Sequence, residues 1–436
     1  MKKERAQFKS SIGFVLAAVG SAVGMGNIWL FPYRVGQYGG GAFLIPYFIF
    51  VALFSYAGLS AEFAFGRLTG TGTAGSFDYV LKAKGKRGGR IIGALPLLGV
   101  LGIAIGYSVV LGWVLRYCAG AFTGSVLTSN SQGYFDSLAV SFGSIPWHII
   151  VIVATVLILI KGVSGGIEKI SKIMMPTFFV LFIIIAIRVF FLDGSDKGYA
   201  YLLKPDWSYL LVPETWVMAM GQAFFSLSIN GAGMLIYGSY MKRDENIIHH
   251  AGMTAVLDTL AALLAGFAII PAVFAFGIDP TSGPSLMFVT LPQVFHQMPA
   301  GQIFAILFFV SVFFAGITSL INMFEACSEA LSSQLKLGRT LSICIIGAIT
   351  FAVSVFLEAL PDMGAWLDAV TIYIAPFGAV LCAVFIYFIL GMKNIKAELN
   401  IGRSRPLGRQ FDVIAYFYVI LAAAVVVLGI YYGGIG

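Results

Sequence analysis

The 436-residue sequence predicts an all-α polytopic membrane protein. Hydrophobic residues make up 59% of the chain and charged residues only 11%, whereas a soluble protein carries about a quarter charged residues. The apolar residues occur in repeated runs of about 20, the length that a helix needs to cross a bilayer. The ten-residue alternation of a transmembrane β-barrel is not found, which excludes that class.

Eleven apolar segments are long enough to be transmembrane helices. Several are longer than a bilayer is thick and must tilt or extend past it. A further apolar run, residues 291–300, is too short to span and is interpreted as a re-entrant or capping piece. The predicted spans are residues 11–35, 41–66, 88–122, 146–163, 166–192, 214–240, 244–277, 301–335, 339–357, 366–392 and 410–433.

The distribution of Lys and Arg predicts the orientation, because these residues are enriched in cytoplasmic loops. With the N-terminus in the cytoplasm, all but five of the 27 Lys and Arg residues fall on the cytoplasmic side. The net charge of +7 is therefore a topology signal and does not indicate a nucleic-acid partner. We expect a multi-pass protein of the cell membrane. The five Lys and Arg residues that do not fall on the cytoplasmic side are Arg34, Arg116, Arg188, Lys197 and Lys204.

Two segments contain glycines and polar residues where a transmembrane helix should be continuous. The first contains "GSAVGMGN" (residues 20–27) and the sixth contains "FSLSINGAG" (residues 225–233). They are corresponding helices if residues 1–200 and 201–392 form two five-helix inverted repeats, with residues 393–436 adding a further helix. Such paired breaks are typical of transporter sites. The alternative is close helix packing through Gly20 and Gly24, which match the GxxxG pattern.

Several polar side chains lie inside the apolar segments. Thr318 and Ser319 could donate to carbonyls one turn back in their own helix. Alternatively, they could join carbonyls of the first segment in an oxygen cage suited to sodium. Glu62, Asp258 and Glu325 are intramembrane carboxylates and are functional candidates by default. Glu62 has a structural alternative, which is to pair amides that a broken helix leaves free.

Four motifs in this order resemble the neurotransmitter:sodium symporter family, specifically its bacterial amino acid transporters, over essentially the whole chain. They are "GSAVGMGNIWLFPY", "GGGAFLIPY", "GQAFFSLSINGAG" and "FFAGITS". The resemblance implies the LeuT-like fold, with eleven transmembrane helices of which the first and sixth are broken.

The resemblance implies that two sodium ions bind near the break in the first segment. The Na1 site would use the carbonyl of Ala22 and the side chains of Asn27, Ser226 and Asp258. The Na2 site would use the carbonyls of Gly20, Val23 and Ala315 and the hydroxyls of Thr318 and Ser319.

The resemblance also assigns a substrate site. The substrate carboxylate would meet the amides near Met25 and Gly26 and the hydroxyl of Tyr107. Its amino group would meet the carbonyls of Ala22, Phe225 and Ser226, and Tyr107 and Phe225 would form a lid. The side-chain pocket would comprise Ile103, Phe225, Ser228, Gly231, Ser319 and Met323.

Four positions refine the expected substrate and ions. Relatives that carry amines lacking a carboxylate have Asp in place of Gly24, so the glycine favours an amino acid. Gly231 stands where a bulky aromatic is common, which suggests a large hydrophobic or aromatic substrate. Asp258 stands where many relatives have Asn, and Ala262 replaces their Ser or Glu. A fixed charge on Asp258 would make transport independent of chloride.

The resemblance names candidate gating residues at both ends. At the outer end Leu30 replaces the usual arginine, which leaves Arg34 and Asp368 as candidates. At the inner end Arg5, Phe8 and Tyr240 fit the pattern, whereas Ser333 replaces the expected acidic partner and Glu329 lies one turn earlier. In the fifth segment, Gly166 and Pro176 would let the cytoplasmic end unwind.

Together these features predict a sodium-coupled symporter that imports an amino acid by alternating access, as a monomer or weak homo-oligomer. The four histidines and four cysteines lack metal-ligand spacing, and no nucleophile–base pair indicates an enzyme. Two alternatives stay open. One is a proton-coupled carrier of the same fold that uses Asp258 or Glu325, and the other is a non-transporting sensor or a channel.

Overall fold

The computed structural model describes residues 6–128, 130–277 and 286–435. All regular elements in these ranges are helical, and the ranges contain no strand. The helices are α1 (Ser11–Ala22), α2 (Gly26–Gln37), α3 (Gly41–Thr69), α4 (Thr73–Ala83), α5 (Gly89–Thr123), α6 (Ser131–Asp136), α7 (Ile145–Ile160), α8 (Val163–Phe190), α9 (Ser195–Leu203), α10 (Pro213–Ser226), α11 (Gly233–Gly238), α12 (Ile247–Ala275), α13 (Leu291–Gln297), α14 (Gly301–Leu335), α15 (Arg339–Leu357), α16 (Leu360–Leu399) and α17 (Arg409–Tyr432).

Within the described ranges, eight helices are long and apolar enough to cross a membrane: α3, α5, α8, α12, α14, α15, α16 and α17. The pair α1 and α2 passes the same test together, with a bend of 60° at its break. Helix α7 is apolar but has only 16 residues, and the sixth predicted segment divides into α10 and α11. Each of the eleven predicted segments has a helical counterpart, and the all-α membrane fold is confirmed.

Two predicted boundaries differ from the structure by at least six residues. Helix α16 begins at Leu360 and not at residue 366, and it ends at Leu399 and not at residue 392. Pro361 stands in its first turn, where a missing amide is harmless and the fixed φ favours a helix. The short apolar run 291–300 contains α13, which follows a π-helical turn and packs on α12 and α14. This run is therefore a short helix and not a span.

The two broken helices lie in the interior of the bundle. Helix α1 packs against α8, α12 and α14, and α10 and α11 both pack against α3. Irregular backbone at membrane depth is tolerated only where protein or a cavity surrounds it, since lipid cannot pair its polar groups. The packing of α1 and α11 against these helices meets that requirement.

Side chains satisfy the backbone groups that the second break leaves free. Between α10 and α11, Ser228 and Gly231 have left-handed φ values of 52° and 78°. The Gly231 amide donates to Glu62 Oε1 at 2.8 Å. The amides of Ala232 and Gly233 donate to Asn230 Oδ1 at 3.0 and 2.9 Å. Glu62 thus pairs a freed amide, which is the structural alternative expected for it.

Candidate functional site

A cavity of about 370 Å³ lies beside the breaks of the two interrupted helices. Its walls come from the α1–α2 and α10–α11 breaks and from α5, α14 and α16. Of the eleven residues predicted for the substrate, ten line this cavity. They are Ala22, Met25, Gly26, Ile103, Tyr107, Phe225, Ser226, Ser228, Ser319 and Met323.

Gly231, the eleventh predicted residue, does not line the cavity. Its amide is held by Glu62, and its carbonyl accepts a hydrogen bond from Thr73 Oγ1 at 3.2 Å. A Cβ at this position would lie 2.9 Å from Cys382 Cβ and 2.9 Å from the carbonyl oxygen of Gly378. A side chain at position 231 would therefore meet α16 and not the substrate, so the size argument based on Gly231 has no structural support.

The side chains expected at the Na1 site form one buried cluster. Asn27 Nδ2 donates to Asp258 Oδ1 at 2.8 Å, and Ser226 Oγ donates to Asp258 Oδ2 at 2.5 Å. All three residues are at most 3% exposed, and Asp258 takes part in none of the ion pairs formed by the described residues. A buried carboxylate with only neutral partners is costly. A bound cation would compensate its charge.

The residues expected at the Na2 site surround the hydroxyl of Ser319. Ser319 Oγ lies 3.1–3.2 Å from the carbonyl oxygens of Gly20, Ser21, Val23 and Ala315. A hydroxyl has one proton and can donate to only one of these four acceptors at a time. The Ser21 and Ala315 carbonyls have other hydroxyl donors, Ser228 Oγ at 2.9 Å and Thr318 Oγ1 at 3.0 Å, so the carbonyls of Gly20 and Val23 are the two that depend on Ser319. A hard cation prefers such a set of oxygen ligands.

Thr318 extends the same group of oxygens. Its Oγ1 lies 2.9 Å from the Phe314 carbonyl and 3.0 Å from the Ala315 carbonyl. These distances match a hydroxyl that donates to a carbonyl one turn back in its own helix, which is the alternative expected for Thr318. Because the oxygen keeps its lone pairs in this geometry, the same contact also leaves it free to act as a ligand.

The start of α2 offers groups suited to a carboxylate. Tyr107 Oη accepts a hydrogen bond from the Met25 amide at 3.2 Å. The N-terminus of α2 at Gly26 adds the positive end of a helix dipole. A Cβ at Gly24 would lie 2.9 Å from Tyr107 Oη and 3.2 Å from Ser319 Oγ. Position 24 therefore has little room for any side chain.

Aromatic rings and an ion pair connect the residues predicted for the inner gate. The Phe8 amide donates to the Tyr240 carbonyl at 3.2 Å, and the Phe8 ring packs edge-on against Phe14. Tyr240 Oη donates to Glu325 Oε1 at 2.6 Å, and Arg339 pairs with Glu325 at 2.7 Å. Arg5 lies outside the described residues. The charge of Glu325 is compensated by Arg339, which weakens the case for Glu325 as a proton relay.

The start of α8 holds the start of α1. Glu168 accepts hydrogen bonds from the Lys9 amide at 2.7 Å and from Ser10 Oγ at 2.9 Å. Gly166 lies in the π-helical first turn of α8 against the Ile158 carbonyl, and Pro176 lies inside the helix. The segment between Gly166 and Pro176 is wound in this structure. Sequence analysis missed Glu168, although it stands inside that segment.

The two outer gate candidates do not pair with each other. The Arg34 guanidinium contacts Met218 Sδ and lies over the Tyr38 ring at 5.9 Å. Asp368 lines the outer part of the cavity and makes no hydrogen bond or ion pair with the described residues. Leu30, which replaces the usual arginine, also lines the cavity.

The remaining cavity residues were not singled out from the sequence. Gln222 stands in the quoted sixth-segment motif and could have been included; its Nε2 donates to the Gly26 carbonyl at 3.3 Å. No sequence motif marks the outer wall, because it comes from loops and from the first turns of α16, which precede the predicted span 366–392. These other residues are Ser21, Trp29, Val110, Trp113, Phe135, Phe288, Leu360, Met363, Gly364, Leu367 and Thr371.

Comparisons with known proteins agree with the fold. The model of the family described as "Sodium:neurotransmitter symporter family" matches residues 5–132 and 134–431. The uncharacterised sodium-dependent transporter YhdH of Bacillus subtilis is 34% identical over 433 residues, covering 95% of this chain and 94% of the relative. An uncharacterised sodium-dependent transporter of Haemophilus influenzae is 32% identical, covering 91% and 92%.

One solved structure is similar along nearly the whole chain. The crystal structure of MhsT in complex with L-phenylalanine superposes with a TM-score of 0.87 at 32% sequence identity. The alignment covers 98% of this chain and 100% of that one.

Proposed function

Because the chain belongs to the sodium:neurotransmitter symporter family and is a sodium-dependent transporter, we propose that it imports an amino acid together with two sodium ions. Residues 1–200 and 201–392 would form the two inverted halves, and residues 393–436 would add a helix. Import would proceed by alternating access across the cell membrane, with the N-terminus in the cytoplasm. At about 2.3 kcal/mol per charge per 100 mV, the membrane potential would favour inward movement of both ions.

The observation that carries this proposal is the convergence of carbonyl oxygens on Ser319. Gly20, Ser21 and Val23 belong to the broken first span, whereas Ala315 and Ser319 belong to α14. A sodium ion at this place would hold the two helices together. Its departure would leave the carbonyls of Gly20 and Val23 to share one hydroxyl proton, which would favour separation of the two helices. This supports an ion that controls the conformation of the carrier.

The Asp258 cluster supports a second ion next to the substrate. Asn27, Ser226 and Asp258 are joined by hydrogen bonds, and Asn27 and Ser226 also line the cavity. A substrate carboxylate at Tyr107 and the start of α2 would lie in the same cavity. An ion that shares a ligand with the substrate makes each bind better when the other is present.

The apolar side chains of the cavity support a large hydrophobic or aromatic amino acid. Ile103, Phe225 and Met323 line it, and its volume of about 370 Å³ is in the range of small-molecule sites. The L-phenylalanine in the MhsT crystal structure supports the same class. Gly231 contributes nothing to this argument because it lies away from the cavity.

The test is uptake by the purified protein in sealed vesicles. A panel of twenty radiolabelled amino acids is presented with an inward sodium gradient, and separately with an inward proton gradient in potassium. We expect sodium-driven uptake of Phe, Tyr, Trp or Leu. Uptake driven by the proton gradient alone would favour the proton-coupled alternative. Competition by alanine but not by tryptophan would refute the large substrate.

Chloride independence is proposed from the charge that Asp258 already provides. Replacement of chloride by gluconate on both sides of the vesicle is expected to leave sodium-driven uptake unchanged. Uptake that falls away in gluconate would contradict this part of the proposal without affecting the rest.

A further inference from the structure

A buried polar cluster lies outside the cavity and joins three helices. His148 on α7 lies 3.0 Å from Ser108 Oγ on α5 and 3.0 Å from Ser354 Oγ on α15, in both cases through Nε2. Its Nδ1 lies 3.2 Å from Glu358 Oε1, just after the end of α15. All four side chains are 0% exposed. A fully buried histidine and carboxylate in an apolar bundle require a specific role.

Both carboxyl oxygens of Glu358 have hydrogen-bond contacts. Glu358 Oε2 accepts the Ser144 amide at 2.8 Å, so this group acts as an acceptor. Its Oε1 faces Nδ1 of His148, so the two oxygens together tie the residue after α15 to α7 and to the residue that precedes it. Ser108 and Ser354 each also reach a carbonyl of their own helix, at 2.7 and 2.6 Å. The Glu358 link is therefore the contact through which His148 reaches the start of α16, whereas both serines are also bonded within their own helices.

This link reaches the wall of the cavity. Glu358 stands two residues before Leu360, where α16 begins, and the Leu360 amide donates to the Ala139 carbonyl at 3.0 Å. The first turns of α16 form the outer wall of the cavity through Leu360, Met363, Gly364, Leu367 and Asp368. Helix α5 forms a neighbouring wall through Ile103 and Tyr107, and Tyr107 is adjacent to Ser108.

We propose that His148 is a positioning residue that holds the outer wall of the cavity in place. Through Nδ1 and Glu358 it fixes the start of α16 against α5 and α7, and so it sets how far the outer side of the cavity can widen. The Ser–His–Glu order does not form a catalytic relay, because none of these side chains lines the cavity. The proposal concerns the scaffold and holds whatever the transported molecule is.

The test uses a reporter cysteine on the wall. Gly364 lines the cavity, and a Cβ there meets nothing within 4 Å, so Gly364→Cys adds a thiol without a clash. The exposed Cys344 is replaced by Ser, whereas Cys118, Cys327 and Cys382 are buried and stay. The rate of maleimide labelling of the purified protein is measured in potassium buffer without an amino acid. This readout requires no transport, so failure of the proposed function would not affect it.

Two substitutions of His148 separate its two sets of contacts. The amide nitrogen of Asn can occupy the position of Nδ1 and keep the Glu358 link, whereas that of Gln occupies the position of Nε2 and keeps only the serine contacts. We expect His148→Asn to label at the parent rate and His148→Gln to label at least about threefold faster, given the net strength of a typical hydrogen bond. Equal rates, or faster labelling of His148→Asn, would overturn the proposal.

Elution as a single species shows whether His148→Gln is folded. If it is not, a second pair of variants makes the same comparison. Glu358→Ala removes the link to α16, and Ser354→Ala removes only a serine contact. Faster labelling of Glu358→Ala alone supports the proposal. Equal labelling of both variants contradicts it.

Discussion

Gly24→Ala is expected to weaken sodium and substrate binding together. The added methyl would lie 2.9 Å from Tyr107 Oη and 3.2 Å from Ser319 Oγ, so at least one hydroxyl must move. Tyr107 holds the Met25 amide, and Ser319 stands among the carbonyls of Gly20, Ser21 and Val23. Overpacking of a tight site costs about 1–3 kcal/mol. This corresponds to an affinity that is about 5- to 150-fold weaker.

The assay is the sodium concentration at which thermal stabilisation of the purified protein is half-maximal, measured without an amino acid. Gly26→Ala is the matched control, because Gly26 lies two residues on in the same break and a Cβ there meets nothing within 4 Å. We expect the midpoint to rise for Gly24→Ala and to stay unchanged for Gly26→Ala. A folded Gly24→Ala protein with the parent midpoint would refute the assignment of Ser319 and its carbonyls to sodium.

Three further outcomes follow from the contacts of single carboxylates. Asp258→Asn removes the only charge of its cluster, so sodium-dependent binding of the amino acid should become weaker, and added chloride should partly restore it. Binding of the variant at parent strength in gluconate would argue against a role for the charge. Glu62→Ala leaves the Gly231 amide unpaired and should lower the unfolding free energy by about 1–3 kcal/mol. Glu62→Gln keeps an acceptor and should lower the unfolding free energy less, and calorimetry of both variants measures the difference. Glu168→Gln weakens the hydrogen bonds from the Lys9 amide and the Ser10 hydroxyl, so a cysteine placed at Ser11 should react faster with maleimide. An unchanged rate would show that Glu168 does not restrain α1.

The breaks in the first and sixth spans could be predicted because the chain places small and polar residues where an apolar helix needs none. Gly20 to Asn27 and Phe225 to Gly233 violate the local pattern, and violations of this kind mark functional sites. The structure ends α1 at Ala22 and α10 at Ser226, inside the quoted motifs. Family resemblance then supplied the residue roles, and ten of its eleven cavity residues face the cavity.

Gly231 and the outer gate could not be predicted, because both depend on packing between segments far apart in sequence. Gly231 is turned toward Cys382 and Gly378 by the left-handed backbone of the break, which no linear pattern reports. Arg34 lies against Met218, a residue of α10, and not beside Asp368. The resemblance identified the positions but not the direction of their side chains.

His148 shows the same limit for buried polar residues. In the sequence it is one histidine in an apolar segment, without the spacing of a metal site. Its partners Ser108, Ser354 and Glu358 come from segments three and nine and from the residues that follow segment nine. Only the packing of α5, α7 and α15 brings them together.

The central claim is that sodium and an amino acid bind in the one cavity and depend on each other. The most direct measurement is equilibrium binding of radiolabelled L-phenylalanine to the purified protein at fixed pH, in sodium and in potassium of equal ionic strength. Reciprocity requires that phenylalanine raise the affinity for sodium by the same factor by which sodium raises the affinity for phenylalanine. The account predicts binding in sodium, little in potassium, and equal factors. Binding of the same strength in both salts would contradict it.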